Sequence, residues 1–477
     1  MEQQQKVLVI RPVEAAFIAV LLMGIIGYLI IGIKVVPQIA IIAGIALLLI
    51  YGVVKKVNFL ELEAAMAIGA KSGIASIMIF FFIGMLISSW MASGTIPTFI
   101  YLAVDLVSGK FYYAIVFVVT SIIGVSIGSS LTTAATLGVA FVGASTALGI
   151  SPVITAGAVV SGAFFGDKMS PLSDTTNLAA SIAGVDLFDH IKNMLWTTIP
   201  AFIFSLIVYV VISPTETEQN IKQMGILKGE LITLNLVHWY SLLPFIILTI
   251  LAAKKVPAIA TLSAGILSAL LISVWMNGGI DSKGLFDLLY SGYKSASGVQ
   301  EVDSMLTRGG MESMMFSISV ILLALSMGGL LFRLGIIPAL ISLLQVVLTR
   351  VSLLISTTAG LAVAVNFIIG EQYLSILLPG NAFKEHFKKA GLEPKHLSRV
   401  LEDAGTVVNP LVPWSVCGVF LASVLGVPVA DYFPFALFCL FSPLLTLIYG
   451  FTGFTLPKHG KKYSFKVSIR FPQFLKR

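Results

Sequence analysis

The sequence Gly166-Asp167-Lys168-Met169-Ser170-Pro171-Leu172-Ser173-Asp174-Thr175-Thr176-Asn177 separates two apolar runs, Val153–Phe165 and Leu178–Ala183. Glycine permits a turn and proline removes a backbone donor, so this segment predicts a break between two halves of one helix. A break exposes backbone carbonyls, and the ends of the two half-helices carry partial charges of opposite sign. The nearby carboxylates, hydroxyls and amide make an all-oxygen set, which suits a hard cation such as Na⁺ rather than zinc or copper. The segment therefore predicts a cation-binding site inside an interrupted helix.

The composition of the whole chain places this segment in a membrane. Of the 477 residues, 57% are hydrophobic and only 11% are charged, whereas a soluble globular protein carries about 25% charged residues. A soluble enzyme or a nucleic-acid-binding protein is therefore disfavoured, and the long continuous apolar runs disfavour an outer-membrane barrel. The sequence predicts an all-α polytopic membrane protein without a nucleic-acid partner.

Long apolar runs mark the candidate membrane spans, since a helix needs about 20 residues to cross a bilayer. These runs are Ala15–Ile33, Pro37–Val54, Ile74–Met91, Trp196–Ile212, Trp239–Leu251, Val256–Met276, Met314–Phe332, Val351–Ile369 and Tyr432–Phe451. The first run is expected to be a membrane span rather than a cleaved signal. The stretch 111–166 has no charge but many Gly, Ser and Thr residues, which predicts bent or re-entrant helices buried in the protein.

Four short patterns recur in the same order in the second half of the chain. Val36-Pro37 recurs as Val256-Pro257, Gly94-x-x-Pro97 as Gly335-x-x-Pro338, Ile127-Gly128 as Ile369-Gly370, and Gly166 with Pro171 as Gly405 with Pro410. The order of the matches predicts an internal repeat, with an N-terminal transmembrane repeat at 1–237 and a C-terminal one at 238–457. A basic tail follows at 458–477.

Lysine pairs indicate how the two repeats are oriented. Lys55-Lys56 follow the Val-Pro helix of the first half, while Lys254-Lys255 precede its counterpart in the second half. If both pairs are cytoplasmic, the two helices run in opposite directions and the repeats are inverted. The same rule predicts that both termini face the cytoplasm, and that the acidic loops 213–237 and 277–312 lie outside. Inverted repeats with discontinuous helices are typical of secondary transporters.

The acidic residues around the breaks are the first candidates for ion binding. Asp174 has no neighbouring base in sequence, and intramembrane carboxylates are costly and usually functional. Asp167 is next to Lys168, so a simple local ion pair is the alternative for these two residues. In the second half, Glu402 and Asp403 precede the break, and pairing with a nearby arginine, Arg399, is the alternative there. Thr406 and Asn409 lie at the break itself, where they are well placed to coordinate a cation.

Two further segments resemble the turns of paired half-helices. The first contains Gly128 with the hydroxyl residues Ser126, Ser129 and Ser130, and the second is Asn366-Phe367-Ile368-Ile369-Gly370-Glu371-Gln372-Tyr373. Glu371 is the only charged residue between Arg350 and Lys384. A carboxylate in such apolar surroundings is suited to taking up and releasing a proton, although a capping or packing role is the alternative.

These observations define one predicted set of ion-binding residues. Na⁺ is expected at Asp174, Thr176, Asn177, Thr406 and Asn409, and Asp174 and Glu371 are expected to carry protons. The other members are Asp167, Lys168, Ser170, Ser173, Thr175, Ser126, Ser129, Ser130, Gln372, Glu402 and Asp403. No cofactor is expected, since Na⁺ and H⁺ are substrates, and the chain has no GxxxxGK[ST] loop for ATP hydrolysis.

The segment 166–177 resembles the signature of the NhaC family of bacterial Na⁺/H⁺ antiporters. The segments 401–406 and 409–420 are similar to the same family, as are Gln372-Tyr373-Leu374-Ser375 and Leu378-Pro379-Gly380. The resemblance covers roughly residues 30 to 455. It implies inverted repeats with re-entrant hairpins and an elevator-type movement of one domain. The family includes antiporters that exchange malate and protons for lactate and sodium, and residues 124–129 and Glu371 depart from the usual family pattern.

The sequence predicts an antiporter that exchanges cytoplasmic Na⁺ for external H⁺ across the bacterial plasma membrane. The first alternative is Na⁺/H⁺-coupled exchange of carboxylates such as malate and lactate, with Lys168 as the fixed cation for the anion. The second is a gated cation channel, but nothing in the sequence explains why a channel would need inverted repeats with broken helices. An enzyme is disfavoured because the chain has no HExxH motif, and its GxSxG match, Gly124-Val125-Ser126-Ile127-Gly128, lies in a predicted hairpin turn with no histidine nearby in sequence. The expected partners are the transported ions and the lipid bilayer, and a homodimer is one open arrangement.

Overall fold

The computed structural model describes residues 7–107, 111–214, 225, 228–276, 282–299, 302–303, 306–345 and 350–456. Every secondary-structure element in this part of the chain is a helix, which confirms the all-α prediction for these residues. The predicted basic tail at 458–477 lies outside the described residues, as do parts of the predicted external loops 213–237 and 277–312.

Among the described residues, seven helices are long and apolar enough to cross a membrane. They are Pro12–Ile30, Pro37–Val54, Ile74–Ala92, Leu187–Ile212, Ala258–Met276, Met311–Arg333 and Val351–Ile369. Two bent pairs raise the number to nine: Pro394–Leu411 with Val416–Leu425, at 46°, and Val429–Phe435 with Leu437–Thr452, at 60°. The predicted span Tyr432–Phe451 falls on the second pair, in which the chain bends between Phe435 and Leu437.

Besides a helical stretch at 228–233, the described part of the first half has the α-helices that are numbered α1 to α11 here. They are α1 (Pro12–Gly27), α2 (Pro37–Val54), α3 (Phe59–Ser72), α4 (Ile74–Ala92), α5 (Thr95–Val107), α6 (Tyr112–Ile127), α7 (Ser130–Thr133), α8 (Val139–Ala147), α9 (Pro152–Met169), α10 (Asp174–Ala183) and α11 (Leu187–Ile212). A π-helical turn, Ala134–Gly138, joins α7 to α8.

The second half follows the same order of long, short and broken helices. Its helices are α12 (Leu243–Ala253), α13 (Ala258–Met276), α14 (Ser282–Ser291), α15 (Met311–Arg333), α16 (Ile336–Gln345), α17 (Val351–Ile369), α18 (Gln372–Lys389), α19 (Pro394–Leu401), α20 (Val416–Leu425), α21 (Val429–Tyr432) and α22 (Leu437–Thr452). A π-helical turn, Glu402–Thr406, extends α19 towards the break. The orientation of one half relative to the other stays a prediction.

The two predicted tips are turns between helices, and they have the same local structure. Gly128 ends α6 at φ 72° and Gly370 ends α17 at φ 76°, which is a left-handed conformation that favours glycine. The next residue caps the following helix in both turns. The Ser129 hydroxyl accepts a hydrogen bond from Thr132 N–H (3.3 Å), and the Glu371 carboxylate accepts one from Leu374 N–H (2.7 Å). In both turns, therefore, a left-handed glycine ends one helix and the side chain of the next residue caps the following helix.

The break between α9 and α10 lies at residues 170–173, as the proline and its polar neighbours predict. Gly166 does not form the turn, which corrects the sequence interpretation, because α9 continues to Met169. Instead Gly166 lies where α9 crosses α6, and a methyl group added there would overlap the Cα of Gly124. A glycine is needed here because the two backbones approach closely. This contact brings the end of α9 against the turn at Gly128 and Ser129.

Candidate cation site

The polar residues of the first break mainly hold the break together. The Thr176 hydroxyl donates to the carbonyls of Asp167 (3.4 Å) and Lys168 (3.2 Å), and the Asn177 amide donates to those of Pro171 (3.0 Å) and Ser173 (2.7 Å). These side chains thus add hydrogen bonds to carbonyls at the break and just before it, two of which, those of Asp167 and Ser173, also accept from a backbone N–H.

Asp174 is exposed at the start of α10, and Asn177 is also exposed. Between residues 170 and 177, the buried polar side chains are those of Ser170, Ser173, Thr175 and Thr176. The Ser173 hydroxyl accepts a hydrogen bond from Thr176 N–H (3.4 Å) and lies 3.1 Å from the Thr175 hydroxyl, so it caps α10.

The second break is held by two asparagines. The Asn409 amide donates to the side-chain oxygen of Asn366 (2.8 Å) and to the Gly370 carbonyl (3.3 Å), while its own oxygen accepts from Cys417 N–H (3.0 Å). The Asn366 amide donates to the Gly405 carbonyl (2.7 Å). Both ends of Asn409 are therefore committed to protein groups. The sequence segment contained Asn366, but the predicted site set did not include it.

A buried ion pair joins the two broken helices. The Lys168 ammonium contacts the Asp403 carboxylate, and neither side chain is exposed. Lys168 also donates to the Ser442 hydroxyl (2.9 Å), which donates to Asp403 (2.8 Å). The Thr446 hydroxyl donates to the same carboxylate, and the Thr197 hydroxyl lies 3.2 Å from it, although the Met194 carbonyl at 3.1 Å is a second acceptor for the Thr197 proton. The partner of Lys168 is thus Asp403 from the other half, and the alternative of a local pair with Asp167 is wrong.

Asp167 has a separate environment, although it is adjacent to Lys168. Its carboxylate accepts a hydrogen bond from the Ser130 hydroxyl (2.7 Å), which belongs to the first turn of α7. The predicted hairpin residue Ser130 and the predicted break residue Asp167 therefore do meet. Ser126, by contrast, donates to the Ile122 carbonyl (3.1 Å) within its own helix.

Glu402 is the most unusual side chain in the described structure. It is completely buried, and neither of its carboxylate oxygens has a hydrogen-bond partner. The hydroxyl of Thr406, four residues later, is also buried; it lies against the Glu402 carboxylate and has no hydrogen bond to any other group. The Asp167 and Asp403 carboxylates lie close enough to repel that of Glu402, and the Lys168 ammonium lies close enough to attract it.

The alternative that Glu402 and Asp403 pair with Arg399 is wrong. Arg399 donates instead to the Thr455 hydroxyl at 3.0 Å. Glu371 lies at the tip of the second hairpin, where its carboxylate caps α18, so it has the local role that the sequence left open as an alternative. Gln372 beside it donates to the Thr406 carbonyl (3.2 Å), which links this tip to the π-helical turn.

Several buried polar residues near these groups were not in the predicted set. They are Asn366, Thr197, Ser442, Thr446 and His190, the last with no partner at either ring nitrogen. The only sequence signal for Ser442 and Thr446 is their spacing of four residues in an apolar helix, which places both on one face. The structure thus brings together Asp167, Lys168, Ser130, Glu402, Asp403 and Thr406, while Asp174 and Asn177 lie exposed beside them.

Comparison with known proteins gives a consistent result. A family model described as the Na⁺/H⁺ antiporter family matches residues 162–454. The chain is 42% identical over 428 residues to the Na⁺/H⁺ antiporter NhaC of Alkalihalophilus pseudofirmus, covering 89% of this chain and 92% of that one. It is 38% identical over 396 residues to NhaC of Bacillus subtilis, with coverage of 82% and 87%. It is 32% identical over 400 residues to a malate-2H⁺/Na⁺-lactate antiporter of the same species, with coverage of 83% and 85%.

Proposed function

The chain belongs to the Na⁺/H⁺ antiporter family, and we propose that it exchanges cytoplasmic Na⁺ for external H⁺ across the bacterial plasma membrane. The observation that carries this proposal is the fully buried Glu402 carboxylate, which has no ion-pair partner and only the Thr406 hydroxyl beside it as a neutralising neighbour outside the Lys168–Asp403 pair. An ionised carboxylate without a partner is very costly away from water. Glu402 therefore requires a cation or a proton, and an exchanger supplies these in turn.

Competition for one carboxylate couples the two ions. If Na⁺ and H⁺ use the same group, each must leave before the other binds, which gives exchange rather than leak. Protonation then weakens Na⁺ binding by the same factor by which Na⁺ weakens protonation. Once the site is mostly protonated, we expect the apparent Na⁺ affinity to fall by about tenfold for each further unit by which the pH is lowered.

The geometry favours a site displaced from the predicted one. Glu402 and Thr406 are free to coordinate Na⁺, and Asp167 is the nearby second carboxylate. Thr176 and Asn409 are engaged in holding the two breaks, and Asp174 is exposed. We therefore assign the exchanged proton to Glu402, while Asp174 and Glu371 remain the sequence-based alternative.

The proposal includes the predicted architecture of inverted repeats that move as an elevator, with both termini in the cytoplasm. The equal order of helices in the two halves and the lysine pairs at 55–56 and 254–255 support it. Cysteines placed one at a time at positions 459–465 should not react with an impermeant reagent in sealed cells. Labelling of these positions from outside would reject this orientation.

Proteoliposomes containing the purified protein and a pH-sensitive dye test the exchange directly. Wild-type protein should move protons when Na⁺ is added, and Glu402→Gln should abolish this movement without loss of folded protein. Glu393→Gln is the matched control, because the Glu393 side chain is exposed and its ion pair is with the partly exposed Lys395. Wild-type exchange in Glu402→Gln would reject Glu402 as the shared group.

The same assay distinguishes the other candidate functions. Carboxylate exchange would require malate or lactate for proton movement, and a channel would give Na⁺ flux without proton coupling. An organic anion needs a fixed positive partner, and Lys168 is already paired with Asp403. This pairing favours Na⁺/H⁺ exchange over malate/lactate exchange.

A further inference from the structure

We propose that Asp403 forms a second cation site and that the Lys168 ammonium is its built-in occupant. The site, here named the Asp403 cage, consists of the Asp403 carboxylate and the hydroxyls of Ser442, Thr446 and Thr197. Its chemistry suits a primary ammonium ion or a small monovalent cation. The inference goes beyond the proposed exchange at Glu402, since it concerns a different carboxylate.

The oxygens of the Asp403 cage are held in place by the fold itself. Its oxygens come from the π-helical turn 402–406, from α22 and from α11, so three separate elements converge on one charge. The Ser442 and Thr446 hydroxyls donate to Asp403 and the Thr197 hydroxyl lies 3.2 Å from it, which leaves hydroxyl lone pairs available to a cation. Lys168 uses this arrangement by donating to both Asp403 and Ser442.

The surroundings explain why the ammonium remains there. Lys168 is completely buried, and its Nζ lies 5.6 Å from the ring centroid of Phe438, where a cation–π contact adds to the ion pair. A buried ion pair is strongly destabilised when one partner is removed, because the other charge is left unpaired. Removal of the ammonium therefore creates a vacant anionic cage, and a free cation of similar chemistry should enter it.

The comparison with Glu402 gives the functional consequence. Glu402 and Asp403 are adjacent buried carboxylates, but only Asp403 has an internal cation. The register that aligns Gly166 with Gly405 aligns Lys168 with Val407, so the second half supplies no equivalent base. Lys168 thus neutralises one carboxylate and leaves the other for transported ions. It is a specificity-determining residue that limits how many mobile cations bind.

The experiment uses the full chain carrying Lys168→Ala, in detergent, with n-propylammonium as the probe. This ion replaces the three carbons and the ammonium that the substitution removes. We expect a lower Tm, a saturable rise of Tm with n-propylammonium, and no rise with tetramethylammonium, which has no N–H donors. Wild type and Lys192→Ala, a lysine outside the cage, should not respond. A folded Lys168→Ala protein without this response would overturn the proposal.

Equilibrium binding of radioactive Na⁺ gives an independent measurement. Lys168→Ala should bind one more Na⁺ per chain at saturation than wild type does. The double variant Lys168→Ala/Asp403→Ala removes both charges, so it should fold even if the single variant does not. It should lose the n-propylammonium response and bind as many Na⁺ as wild type. A retained response in the double variant would overturn the assignment to Asp403, whereas absence of Na⁺/H⁺ exchange in wild type would reject only the proposed function.

Discussion

The break at residues 170–173 and the break at residues 407–415 share a scaffold but carry different charges. In both, a left-handed glycine ends the preceding hairpin helix, and a serine, Ser173 or Ser415, caps the helix after the break. The first break follows an acid and a base, Asp167 and Lys168, whereas the second follows the two acids Glu402 and Asp403. The scaffold is thus set by glycines and caps, while the residues just before each break decide the chemistry.

The two breaks also differ in backbone form. Asp167 and Lys168 lie on a regular α-helix, but Glu402 and Asp403 begin a π-helical turn. A π-helical turn accommodates an extra residue and changes the direction of the side chains, and such turns often occur at functional sites. Here it accompanies two adjacent acids in different environments, one paired with Lys168 and one without a partner.

The two halves also differ in how the hairpin helix before each break contacts the broken helix. In the first half α6 and α9 touch through Gly124 and Gly166 with no side chain between them. In the second half Asn366 precedes Gly370 by four residues, as Gly124 precedes Gly128, and it spans the crossing by donating to Gly405. A close backbone contact holds one crossing, and a hydrogen bond holds the other.

The largest expected effect is that of Gly166→Ala on the first crossing. The new methyl group overlaps the Cα of Gly124, which is backbone and cannot move aside, so we expect a loss of about 3 kcal/mol in stability. Gly360→Ala is the matched control, because this helical glycine has open space around it and should gain up to about 1 kcal/mol. Thermal unfolding in detergent measures both, and equal Tm values for the two variants would refute the contact.

Asn366→Ala should have the next largest effect, because it disrupts the second crossing. It removes the bond to Gly405 and leaves the Asn409 amide short of an acceptor, at a cost of about 2 kcal/mol. The control is Ser356→Ala on the same helix, whose hydroxyl has no partner and whose loss should be nearly neutral. If Asn366→Ala unfolds at the wild-type temperature, the crossing does not depend on this side chain.

Of the two serines that cap the helices after the breaks, Ser415 should contribute more to stability than Ser173. Ser415 accepts from Gly418 N–H at 2.9 Å and donates to the Asn409 carbonyl at 2.5 Å, whereas Ser173 accepts from Thr176 N–H at 3.4 Å. We expect a cost of about 2 kcal/mol for Ser415→Ala and about 1 kcal/mol for Ser173→Ala. Parallel melting curves of the two variants test this order, and a larger loss for Ser173→Ala would contradict it.

Glu371→Gln should have the smallest effect, since an amide oxygen can still cap α18. We expect a change in stability within about 0.5 kcal/mol and a wild-type pH dependence of Na⁺ affinity. Glu402→Gln, measured in parallel, should lose that dependence. If Glu371→Gln flattens it instead, the proton carrier predicted from the sequence is correct and our assignment to Glu402 is not.

The sequence predicts the fold well where local signals end a helix. Pro37–Val54 and Val351–Ile369 agree with the structure to the residue. Pro37 begins the first run and Lys55 follows it, while Arg350 precedes the second run and Gly370 follows it. The first break was predictable for the same reason, since Pro171 and its polar neighbours interrupt two apolar runs.

The site was less predictable because its contacts are distant in sequence. Lys168 pairs with Asp403 from the other half, whereas sequence proximity suggested Asp167 for the lysine and Arg399 for the acid. The state of Glu402 depends on the absence of an ion-pair partner in the fold, which no local pattern encodes. Polar residues such as Thr176 and Asn409 satisfy carbonyls, and composition alone cannot distinguish that role from ion coordination.

The contact of Gly124 with Gly166 has a mechanical consequence. Two closely packed backbones without side chains between them resist sliding, so α6 and α9 should move as one rigid body. Asp167 and Lys168 lie in the last turn of α9, just beyond the contact. Any movement of the pair should therefore carry these two charged residues together with α6, and their distance from the α6 backbone should stay constant.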